Sequence, residues 1–104
     1  MRPLLHILLH VLVPAVVARA AYRERAMRAF LVLMATMLVD LDHLLADPIY
    51  APGRCSIGFH PLHSTGAIGA YVLLTVPART RLVGLGLLIH MVLDGIDCVW
   101  MALE

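Results

Sequence analysis

Hydrophobic positions along the chain fall into four runs, roughly 3–21, 28–46, 63–78 and 82–103, each bounded by a short cluster of Arg, Pro or Gly. None alternates with the period of two that a half-buried strand requires, and each is close to continuous. About 20 helical residues cross about 30 Å of hydrocarbon while satisfying all of their own backbone hydrogen bonds. The first, second and fourth runs reach that length; the third is short. The pattern predicts an all-α fold, a four-helix integral membrane bundle formed as one transmembrane domain over residues 1–104. Pro14 lies inside the first run and predicts a kink. Residues 47–62 carry Pro48, Pro52, Gly53, Gly58 and Pro61 and form the one long loop, with Pro61 placed to open the third helix.

Composition points to the same solvent. The chain of 104 residues is 62% hydrophobic and 14% charged, whereas ordinary globular domains run at about 45–50% and about 25%. So short a chain in water could not bury that much apolar surface. Arg2 and Ala18, Ala20 and Ala21 give the first run some features of a cleaved signal. His6 and His10 inside it argue for a retained span, because a disposable segment gains nothing from them.

All eight basic residues are Arg, and six of them (Arg19, Arg23, Arg25, Arg28, Arg79 and Arg81) fall around the first and third connections. Short cytoplasmic loops are the ones enriched in Arg and Lys. That bias puts both termini and the long loop on the periplasmic side of a bacterial inner membrane. The clusters are too short for a nucleic-acid surface, so membrane lipid is the expected partner.

On this map the histidines and acids converge. His6 and His10 share a face at i, i+4, and His90, Asp94 and Asp97 form one stripe at i, i+4, i+7. Asp40, Asp42 and His43 lie near the outer end of the second run, and His60 and His63 at the outer entrance to the third. An ionised Asp at the bilayer centre costs about 2.5–3.5 kcal/mol on insertion scales, so such residues are rare and usually functional. Hydrogen bonding between helices explains any one of these groups. It does not explain ten in so small a bundle, all in its outer half. A divalent cation does, because imidazole and carboxylate are its ligands and its charge neutralises buried acids. The candidate ligands are His6, His10, Asp40, Asp42, His43, His60, His63, His90 and Asp94. Their number leaves open one zinc ion with a full outer shell or two ions.

The motifs resemble a known family. Val-Asp-Leu-Asp-His (39–43), His-Pro-Leu-His-Ser (60–64) and Leu-Ile-His-Met-Val-Leu-Asp (88–94), behind an early His-x-x-x-His, are similar in type and order to the bacterial inner-membrane metal-dependent hydrolase family (YdjM-like). That family is distantly similar to the all-helical zinc-dependent phospholipase C and nuclease group. The resemblance implies that Asp40, Asp42, His43, His60, His63, His90 and Asp94 are metal and catalytic residues. Val39 stands where the family has Pro, and Pro61-Leu62 where it has Arg-Gly.

The expected function is membrane-embedded, metal-dependent hydrolysis of a phosphoester such as a lipid headgroup, with Asp42 or Asp97 as general base. The alternative is a metal-binding or metal-sensing membrane protein without turnover, and a homodimer is open in either case. Ser64 is expected to cap the third helix. Gly66, Gly69, Gly84 and Gly86 are expected to let helices approach closely. Cys55 and Cys98 share the outer side, where they either stay as buried thiols or pair. Bringing His60 and His63 up to His90 and Asp94 would carry Cys55 toward Cys98.

Overall fold

In a computed structural model the chain is helical, with no strand among the described residues, which are 2–45, 54–55, 57–58 and 60–103. The side chains of Arg2, Pro3, Asp42 and His43 lie outside that description. Helix α1 covers Arg2–Ala21, α2 Ala26–Ala35, α3 Thr65–Leu74 and α4 Arg81–Leu103. Leu4–Ala21 and Arg81–Leu103 are each long and apolar enough to cross a membrane. α1 runs through Pro14, whose ring is fully buried.

The second and third runs differ from the sequence expectation. α2 stops at Ala35 and the chain continues as a 3₁₀ helix over Thr36–Leu45. Thr36 marks the change: its hydroxyl donates to the Leu33 carbonyl at 2.5 Å, three residues back. 3₁₀ runs longer than three or four residues are uncommon, and each residue rises about 2.0 Å instead of about 1.5 Å. Asp40 is therefore carried further along the axis than an α-helix would take it. A period of three also stacks Met37 and Asp40 on one side, and both reach His90.

The third helix ends at Leu74 rather than near residue 78. Val76 precedes Pro77, and a residue before proline is pushed out of the helical region. The exposed carbonyls at that end are taken up by side chains. Thr80 Oγ1 donates to Leu74, Arg81 Nε to Thr75 and Arg81 Nη2 to Val76, at 2.6, 2.9 and 2.9 Å. At its start, Ser64 Oγ accepts from the Ala67 amide at 3.2 Å, the expected cap. Pro61 opens not α3 itself but a separate 3₁₀ turn, Pro61–His63, ahead of it.

Two of the four glycines do bring helices together. A Cβ at Gly84 would come within 2.9 Å of Leu74 Cβ and the Tyr71 carbonyl oxygen, and one at Gly86 within 2.6 Å of Thr36 Oγ1. Gly66 and Gly69 correct the expectation, since a Cβ at either meets nothing within 4 Å.

Helix α1 is turned inside out relative to a helix of a water-soluble protein. Leu4, Ile7, Leu8, Val11, Leu12 and Val16 are exposed while His10 is buried and His6 partly so. Leu31, Leu38, Leu41, Val72, Leu73, Val92, Ile96 and Val99 continue the exposed apolar surface on other elements. At one end Arg23, Arg25, Arg28 and Arg79 line a groove of about 610 Å³, so the arginines of the first and third connections share one end of the molecule. Cys55 and Cys98 form a disulfide with Cα atoms 5.0 Å apart, which joins the long loop to the last turns of α4.

Candidate metal centre

α4 supplies the frame. His90 and Asp94 sit four residues apart on it, and both are buried. The Nε2 of His90 lies 3.1 Å from Oδ2 of Asp94, the register expected of i, i+4 side chains on a rigid helix. The 3₁₀ turn ahead of α3 delivers His63, fully buried, with Nε2 2.9 Å from the same Oδ2 and 3.3 Å from Nε2 of His90. The 3₁₀ extension of α2 delivers Asp40, with Oδ1 2.9 Å from Nε2 of His90 and 3.4 Å from Nε2 of His63. Four donor atoms from three elements thus surround one point.

Five of the six spacings among these donors are close to those of a tetrahedral zinc site, and all six fall within 4.8 Å. Ligands about 2.0–2.1 Å from a zinc ion lie roughly 3.3 Å from one another. The five distances just given run from 2.9 to 3.4 Å.

Protonation makes the same point. His90 Nδ1 is 2.9 Å from Sδ of Met37. A thioether sulfur only accepts, so this partner assigns the proton to Nδ1 and leaves the lone pair on Nε2 in the neutral ring. That lone pair faces two carboxylate oxygens and a second imidazole nitrogen. Only a cation at the centre or an added proton makes the arrangement favourable.

A second group adjoins the first. On α1, His6 and His10 turn toward the other oxygen of Asp94, with their Nε2 atoms 3.1 and 3.2 Å from Oδ1. The His10 and His90 rings meet edge to face, with centroids 4.7 Å apart. Asp94 is therefore common to both donor groups.

Of the residues singled out from sequence, His6, His10, Asp40, His63, His90 and Asp94 are brought together. His60 is buried beside His63, with ring centroids 5.6 Å apart, but belongs to neither donor group. Asp97 lies on the far side of His6, with Oδ1 3.8 Å from Nδ1, the ring nitrogen opposite the one that faces Asp94. The side chains of Asp42 and His43 lie outside the described residues. Sequence reasoning missed Met37, which stands three residues before Asp40 and is recognisable only once the segment is known to be 3₁₀. It also missed Tyr71, whose hydroxyl donates to the Leu62 carbonyl at 2.7 Å and holds the turn that carries His63.

Access to the first group is uneven. The side chains of His63 and His90 are fully buried and that of Asp94 nearly so, whereas Asp40 is 48% exposed. Asp40 therefore stands at the mouth of the group.

Residues 1–101 match the model of a family of unknown function, DUF6122, and the chain belongs to that family. No curated protein and no solved structure gives a significant match.

Proposed function

We propose that this DUF6122 protein is a membrane-embedded, metal-dependent hydrolase of a phosphoester, a lipid headgroup being the substrate class within reach. Its ion, zinc by the chemistry of a His and Asp donor set, is held by Asp40, His63, His90 and Asp94. The observation that carries the reading is the convergence of those four donor atoms, all within 4.8 Å of one another and three of them on buried residues. The exposed leucines and valines and the two long apolar helices support a position in the bilayer. In this reading α3 and the second segment complete a four-helix bundle, and the short α3 is accommodated by local thinning of the bilayer.

A divalent ion supplies a Lewis acid that polarises a phosphoryl oxygen and lowers the pKa of water. The chain's own residues do the rest. Asp40 completes the first group on its open side, and the exposed Leu38 and Leu41, two residues before it and one after, offer an apolar surface that suits acyl chains. The water oxygen bonds to phosphorus and the ester P–O bond breaks, its electron pair leaving with the alcohol oxygen. The water's proton passes through a carboxylate to that leaving oxygen. Asp97, with Oδ1 3.8 Å from Nδ1 of His6 and a member of neither donor group, serves as that general base.

A complete set of four protein donors is also the pattern of a structural ion. That favours the second reading, a metal-binding membrane protein without turnover. Phospholipid vesicles incubated with the purified protein decide between them. Hydrolysis is expected to release water-soluble phosphate or phosphorylated headgroup, to stop on chelation and to return with zinc. Metal-loaded protein that releases nothing from any phospholipid class would leave the non-catalytic reading.

We place both termini and the long loop in the periplasm of a bacterial inner membrane, with the arginine groove at the cytoplasmic face. The Cys55–Cys98 bridge supports this, because disulfides persist in oxidising compartments. A reporter active only in the cytoplasm, fused to the C-terminus, is expected to stay silent. A strong signal would invert the topology.

A further inference from the structure

The four-donor centre leaves His6 and His10 without a task, yet α1 turns both toward Asp94. We infer that His6, His10 and Asp94 form a second cation site, and that Asp94 bridges two ions, one on each carboxylate oxygen. The inference rests on the reading of the first group as a metal centre.

Three observations carry it. The oxygens of Asp94 are divided between the groups, Oδ2 facing His63 and His90 and Oδ1 facing His6 and His10. The His10 ring is fixed, because its Nδ1 lies 2.8 Å from the His6 carbonyl oxygen, an acceptor that assigns the proton to Nδ1. Its Nε2 therefore carries a lone pair. Finally, Nε2 of His10 is buried and makes no hydrogen bond among the described residues. A lone pair held 3.2 Å from a carboxylate oxygen in a buried site is costly unless a cation lies between them. Ions bridged in this way sit about 3.5–4 Å apart, the separation of two-metal phosphoesterases.

The donor count separates the roles of the two ions. The first group offers four protein donors, a full set for a four-coordinate ion. The second offers three among the described residues, the pattern of catalytic zinc sites, whose fourth position goes to water or substrate. The ion on His6 and His10 is thus the one that meets the phosphoester.

Elemental analysis of purified wild-type protein and the His10→Ala variant, neither exposed to chelator, tests this. The expected result is two divalent ions per wild-type chain and one per His10→Ala chain. The ion that remains shows that the variant has folded around the first centre. Manganese-loaded wild type should give an exchange-broadened electron paramagnetic resonance spectrum, and manganese-loaded His10→Ala that of an isolated ion. One ion in both proteins, or one in the wild type and none in the variant, would overturn the second site and leave the first standing. Two ions in both would overturn the assignment to His10. No ion in the wild type would overturn the first centre as well. Loss of both ions from His10→Ala with helicity intact would also overturn the inference, because the first group does not contain His10. If His10→Ala loses its helicity, His6→Gln is read by the same outcomes.

Discussion

Asp94→Ala is expected to strip the protein of its metal. Asp94 is the one residue common to both donor groups, and each of its oxygens faces two imidazoles. Its loss leaves His6, His10, His63 and His90 with Asp40 as the only described carboxylate donor, and it removes charge that helps offset that of the ion. Perturbing a residue that merely supports a ligand costs about 10–100-fold in metal affinity. Removal of a shared ligand is expected to exceed that and to bring metal content below one tenth of an ion per chain. Ser64→Ala is the matched control. It removes the α3 cap, at about 1 kcal/mol, and touches no donor. Elemental analysis of the two variants checks this, and equal metal in both would refute the ligand assignment.

Reduction of the Cys55–Cys98 bridge is expected to have the second largest effect. The bridge spans 43 residues, and closing a loop of that length is worth roughly 4 kcal/mol in the chain-entropy model. Its consequence for the site runs through the loop. Sγ of Cys55 lies 3.7 Å from the Ile57 carbonyl oxygen, and the amide of Gly58 donates to the His63 carbonyl at 3.0 Å. Gly58 has a φ of +82°, a conformation that suits glycine. The tether on α4 thus leads, within a few residues, to the backbone of His63, a member of the candidate donor group. Reduced protein in detergent is expected to unfold at lower denaturant and to lose metal to a competing chelator faster than oxidised protein. Coincident unfolding curves and equal rates of metal loss would show that the bridge supports neither the fold nor the site.

Continuous apolar runs with internal His and Asp made the long helices legible in the sequence. The first apolar run spans 3–21 and α1 covers Arg2–Ala21; the last spans 82–103 and α4 covers Arg81–Leu103. Helix periodicity alone paired His6 with His10 and His90 with Asp94, because i, i+4 neighbours on an α-helix must share a face. The second run was not legible in the same way. Thr36–Leu45 is as apolar as an α-helical span, and its 3₁₀ form reflects the Thr36 hydroxyl bond and the close approach of Gly86. The division of Asp94 between two groups depends on where α1 packs, and no spacing encodes that. His60 shows the converse limit. Its motif partner His63 enters the donor group, while His60, one turn away, is buried beside it.

The convergence of His and Asp side chains fits a metal site better than a network of hydrogen bonds. Elemental analysis of wild-type protein purified from membranes without chelator tests it most directly. At least one stoichiometric transition metal ion per chain is expected, zinc foremost. Protein that is folded, disulfide-bonded and free of any stoichiometric metal would contradict it.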